Sequence, residues 1–292
     1  MILRLLGPPT LAVLSVLWLG RSAARRGLLP MALQRDPWRR VAAGVFLAGT
    51  LWLGVFLPLG AVGTERSFDP ESVHTGQLFL LHGILVLGLV LTFVLSCPGE
   101  GPGGFFRRLG FRTGGAFPVG AGREIALGLA VGLAAWAVVL GALLALVTVI
   151  VLLGLEDWLP RTPPEVVPWI AGLPVAIRVL VSLSAGVVEE TFFRGFLQPR
   201  AGVAFSTACF VLAHLSYGAP FLLIGVTLLS LIYAGLVLWR RSVWAAATAH
   251  FVFDAVQLLV IIPAVLETLP GAAGAGGDAA VGAALVHLLL GL

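Results

Sequence analysis

Glu189, Glu190 and Arg194 sit within one long apolar run, and two later apolar runs carry Phe210 with His214 and His250 with Asp254. A carboxylate in the hydrocarbon region of a bilayer is costly unless it is paired or faces a wet cavity, so acids at such positions mark function by default. On a helix, adjacent residues point about 100° apart, while residues four apart share a face. Glu190 therefore pairs with Arg194 and leaves Glu189 turned elsewhere, giving one structural acid and one free acid. Phe210 with His214, and His250 with Asp254, share faces by the same spacing. Peptide hydrolysis needs a base to activate water, donors for the tetrahedral oxyanion and a proton source for the leaving amine. One glutamate and two imidazoles supply all three. The same atoms also suit a metal: Glu189, His214 and His250 make a zinc set with an open position for water. Asp254 then serves as a fourth ligand or as a partner of His250. Both modes, no cofactor and zinc, are compatible with these residues.

The elements that must position these groups are membrane helices. With 59% hydrophobic residues, 11% charged residues and a mean hydropathy of +1.04, the chain uses lipid as its solvent. Apolar runs long enough for about 30 Å of hydrocarbon occur at 2–20, 41–63, 77–97, 125–154, 170–198, 201–216, 221–239 and 242–266. The expected fold is an all-α polytopic bundle of about eight helices. Its parts are N-terminal helices and basic loops (1–123), a core (124–268) and an apolar tail (269–292). The run at 125–154 exceeds one membrane thickness and must tilt, bend or leave early.

All 18 basic residues are arginine, and they cluster in short loops without interleaved aromatics, which excludes a nucleic-acid partner. Six lie in 21–40 and four in 98–123, whereas the alternating loops hold Arg66 and Arg161 beside acids. Both rich segments, with Arg200 and Arg240-Arg241, should be cytoplasmic and the N-terminus outside, in a multi-pass protein of the cell (inner) membrane. Measured from that side at about 1.5 Å per residue, Glu189 lies roughly 15 Å deep, His214 roughly 20 Å, His250 roughly 12 Å and Asp254 roughly 18 Å. Three helices thus bring a carboxylate and two imidazoles to a common level. Cys97 and Cys209 have no ligand-like spacing. His82, His287 and Arg178 are expected to be structural or interfacial.

Taken in order, Glu-Glu-x-x-x-Arg at 189–194, Phe-x-x-x-His at 210–214 and His-x-x-x-Asp at 250–254 resemble the motifs of the CAAX prenyl protease and bacteriocin-processing family (CPBP, or ABI) of intramembrane proteases. The resemblance covers 124–266. It implies an endopeptidase acting on a membrane-anchored peptide or protein in the bilayer. In that family's terms Glu189 and His214 activate water, His250 with residue 254 stabilises the oxyanion, and Glu190 and Arg194 hold the site together, with Phe210 packed beside them. Many relatives carry Asn where this chain has Asp254. An ionised carboxylate only accepts hydrogen bonds, so Asp254 is expected to orient His250 and keep it charged. A transporter or proton relay would spread its ionisable groups along a pathway, often with inverted repeats, and neither feature is found. A non-catalytic immunity or binding protein of the same fold is the other alternative, which the intact motifs disfavour.

Overall fold

Apolar chain in lipid has to satisfy its backbone internally, and helices do so within each segment. The computed structural model describes residues 2–61, 74–112, 120–155, 166–215 and 220–268, and among these every regular element is a helix. The tail at 269–292, His287, and the loops with Arg66 and Arg161 lie outside the described residues. The main helices are α1 (Ile2–Arg25), α2 (Pro37–Ala61), α3 (Thr75–Ser96), α4 (Ala121–Leu152), α5 (175–201), α6 (Val203–Ala213), α7 (Pro220–Arg240) and α8 (Trp244–Glu267). Short helices at Met31–Arg35, Pro102–Arg108 and Val166–Ala171 lie between them.

By length and apolarity, five segments can cross a membrane: α2, α3, α4, the Leu223–Arg240 part of α7, and α8. The expected count of about eight is not reached by that measure, for local reasons. α5 carries Arg178, Glu189, Glu190 and Arg194. α6 has 11 residues, about 16 Å at 1.5 Å per residue, half of what a crossing needs. The long run after Ala121 is one continuous helix of 32 residues.

Local sequence explains the boundaries that matter most. Asp36 caps α2 by accepting from the backbone N–H groups of Trp38 and Arg39 at 3.0 and 3.1 Å, with Pro37 at the first helical position. Gly202 separates α5 from α6 with a φ of +92°, in the left-handed region that favours glycine. α6 then stops at His214, so that imidazole sits at the end of a half-length helix.

α8 is the axis of the functional half. Ala245, Ala246, Ala247 and Ala249, which point to different sides of α8, are all buried, and small residues opposite let neighbouring backbones come close. A Cβ on Gly128 or Gly132 of α4 would fall 2.6 Å from the Ala245 carbonyl oxygen or 2.7 Å from that of Ala249. A Cβ on Gly186 of α5 would fall 2.5 Å from the Ala247 carbonyl oxygen. α8 is therefore clasped between α4 and α5 at backbone distance. Arg178 adds a tie by donating to the Leu258 carbonyl at 2.9 Å, a structural role as expected. Buried Glu124 on α4 receives Arg240 of α7 at 2.7 Å.

Arg26, Arg108, Arg112, Arg200 and Arg241 line one cavity of about 830 Å³. Arginines from all the segments expected on one side thus meet at one end of the bundle.

Candidate active site

α5 is not a regular helix where the motif lies. Residues Ala185–Glu189 and Thr191–Leu197 form wide π-helical turns, a distortion that recurs at functional sites. Glu189 and Glu190 still point apart, as the spacing predicts.

Glu190 and its partners form the buried side of the site. Arg194 places Nη1 2.9 Å from Glu190 Oε1, with side-chain exposures of 1% and 0%. Arg194 Nη2 donates to the Ser230 carbonyl at 3.3 Å, and its guanidinium carbon lies 4.2 Å from the centre of the Phe210 ring. Phe210 also packs on His214 with ring centres 4.5 Å apart, so it spaces the cation from the imidazole. His250 Nδ1 is 3.0 Å from the same Glu190 Oε1, and its Nε2 is 3.5 Å from Asp254 Oδ2. Both ring nitrogens of His250 therefore face carboxylates. The Tyr233 ring stacks on His250 at 5.2 Å.

Glu189 has a different environment. His82 Nε2 lies 3.2 Å from Oε1, and His214 Nε2 lies 3.8 Å from Oε2. His214 donates its Nδ1–H to the Phe210 carbonyl at 2.7 Å. In the neutral imidazole this fixes the tautomer and leaves a lone pair on Nε2. Oε2 is buried with no hydrogen-bond partner among the described residues. Two acceptors thus face each other across 3.8 Å, too far for a direct hydrogen bond. The separation is one that a water oxygen at about 2.8 Å from each atom would bridge, with one O–H to each.

The structure therefore brings Glu189 to His214, and Glu190 to Arg194 and His250, with Asp254 beside His250. The sequence reading did not place three residues. His82 is an ionisable group in an apolar span, but it has no partner at helical spacing. Ser184, whose Oγ is 2.9 Å from His82 Nδ1, was an ordinary small polar residue. Tyr233 is fully buried with no hydrogen-bond partner on its hydroxyl among the described residues, and its only sequence signal is polarity within a span.

The zinc set of Glu189, His214 and His250 is not assembled among the described residues: His250 Nδ1 meets Glu190, while Glu189 meets His82 and faces His214. Among the described residues no three His, Cys, Asp or Glu side chains are gathered to hold an ion.

An all-helical membrane protein with buried carboxylates bonded to imidazoles is the class that fold and site define. Residues 171–256 match the family model described as Rce1-like, type II CAAX prenyl endopeptidase Rce1-like. The resemblance to the CAAX protease family is thus borne out over the segment that carries all seven motif residues. A stretch of 79 residues is 33% identical to the uncharacterized protein YpbD of Bacillus subtilis (strain 168), covering 27% of this chain and 42% of that protein. No solved structure matches the chain.

Proposed function

We propose that this membrane protein is an intramembrane endopeptidase that hydrolyses a peptide bond of a membrane-associated substrate, using water activated between Glu189 and His214. The observation that carries the reading is the facing pair of acceptors, Glu189 Oε2 and His214 Nε2, 3.8 Å apart in a buried site. Water held there loses a proton to one of them as its oxygen attacks the scissile carbonyl carbon. A Glu-His pair can return that proton to the amine nitrogen as the C–N bond breaks. In this reading His250 donates to the oxyanion from Nε2, whose 3.5 Å contact with Asp254 Oδ2 is too long for a firm hydrogen bond, while Glu190 holds Nδ1 at 3.0 Å. Glu190 and Asp254 hold its ring, and charge on the imidazole strengthens its N–H as a donor. Asp254, an acceptor when ionised, acts through His250.

The family description, a CAAX prenyl endopeptidase, fits a membrane-associated substrate, and the matched residues 171–256 lie within the span 124–268 that this reading assigns to the proteolytic core. Arginines gathered at one end support a cytoplasmic placement of that end, with the N-terminus outside. The donor geometry favours direct glutamate catalysis over a zinc-bound water.

The test is reconstitution with a library of membrane-anchored peptides, comparing wild type with Glu189→Ala, each with and without chelator. Cleavage by wild type, lost in Glu189→Ala and indifferent to chelator, is expected. Loss with chelator and recovery with zinc would replace the glutamate mode with a metal one. No cleavage across a broad library would favour a non-catalytic protein of the same fold.

A further inference from the structure

His82 comes from α3, outside the segment that matches the family, yet it makes the shortest contact to Glu189, at 3.2 Å. We propose that His82 is a positioning residue: it clamps Oε1 of Glu189 and so turns Oε2 toward His214. The proposal rests on the reading of Glu189 as the water-activating acid.

The clamp has three parts. Ser184 Oγ is 2.9 Å from His82 Nδ1 and 3.0 Å from the Val181 carbonyl oxygen. A serine has one hydroxyl proton, and the carbonyl can only accept, so donation to Val181 leaves Oγ to accept from Nδ1–H of His82. With Nδ1–H so engaged, Nε2 and Glu189 Oε1 share the next proton, carried on one atom or the other. In either state the bond fixes Oε1, and the remaining oxygen is the one that faces His214.

The wide turn of α5 makes the bridge possible. At about 100° per residue, positions five apart on a regular helix diverge by about 140°, which would point Ser184 and Glu189 to different neighbours. A π-turn closes i to i+5 and stacks such positions nearly one above the other. The turn at Ala185–Glu189 therefore puts Ser184 and Glu189 on one side, where a single imidazole from α3 reaches both. His82 is 7% exposed, and α3 packs directly on this turn. The clamp is thus part of the interface between the N-terminal helices and the matched core. A pure brace between helices would need no hydrogen bond to the acid.

Two measurements test it. Isotope-edited infrared spectra, with Glu189→Gln used to isolate the Glu189 carboxyl band, should show that band shifted in His82→Leu; an unshifted band would overturn the contact whether or not the protein turns over. Kinetics then use a membrane-anchored fluorogenic peptide cleaved by wild type. His82→Gln, whose side-chain amide nitrogen reaches the Nε2 position, should keep most of kcat, whereas His82→Asn and His82→Leu should lose about 10- to 100-fold with KM within about twofold. Ser184→Ala should lose less. Equal activity of the Gln and Asn variants would overturn positioning, and that comparison holds even if the Leu variant fails to fold. Should Glu189→Gln retain turnover, the function reading falls instead, and the infrared result still decides the contact.

Discussion

Glu190 and Glu189 are neighbours in the chain, but the two sides of the site around them are built on opposite plans. On the Glu190 side one carboxylate oxygen meets both an arginine and a histidine at 2.9 and 3.0 Å, in surroundings with almost no solvent exposure. On the Glu189 side one oxygen is held by His82 while the other stays unbonded opposite His214. The first arrangement compensates a buried charge, as any buried carboxylate requires. Each carboxylate keeps one buried oxygen, Oε2, without a hydrogen-bond partner among the described residues, and what sets the second apart is that its Oε2 faces His214 Nε2 at 3.8 Å. Adjacent identical residues thus divide the work: one fixes the framework and the other is kept ready for a proton.

Neighbouring substitutions sharpen the contrast. Glu189→Gln should lower kcat by about 10²- to 10⁴-fold, the range of general-base catalysis, while the thermal midpoint in detergent stays near wild type. A comparable loss of stability would mean that Glu189 is also a framework residue. Arg194→Ala should do the reverse. It strands Glu190 in the core, and breaking a buried pair from one side costs about 3–5 kcal/mol, measurable by denaturant unfolding in micelles. A variant that unfolds like wild type would show that Glu190 is stabilised mainly by His250. Between these lies Gly186→Ala, which adds a methyl group 2.5 Å from the Ala247 carbonyl oxygen. Pushing α5 from α8 should cost about 1–3 kcal/mol. It should also reduce turnover, since Glu189 and His250 ride on the two helices forced apart.

The framework side was largely legible in the sequence, because Glu190 to Arg194 and His250 to Asp254 are contacts between residues four apart on one helix. Even there, the bond from His250 to Glu190 is a contact between helices, and hydropathy and spacing did not show it. The catalytic side was half legible. Glu189 and His214 stood out as polar groups at matched depth, but His82 lies 107 positions from Glu189, and no periodicity links α3 to α5. The π-turns were invisible for a related reason: the run from Val181 to Val188 reads as an ordinary apolar helix, and close packing of Gly186 on α8 accompanies the departure. The number of crossings was less legible than the number of helices: at α6 the apolar residues continue to Leu215 but the helix stops at His214.

The smallest effect is expected at Asp254, where the two sides meet. Its carboxylate lies 3.5 Å from His250 Nε2 with a quarter of its side chain exposed, whereas Glu190 grips the other ring nitrogen at closer range and without solvent. If Asp254 mainly orients His250, Asp254→Asn should keep the fold and lower kcat only a few-fold, because the amide can still hold the ring but no longer favours the imidazolium. The pH profile of kcat should move even though the loss at its optimum is small. Activity equal to wild type across the whole pH range would remove Asp254 from the mechanism and leave Glu190 as the group that keeps His250 charged. A loss as large as that of Glu189→Gln would instead place Asp254 among the proton-transfer groups. The division between a framework carboxylate and a catalytic one would then extend to three acids instead of two.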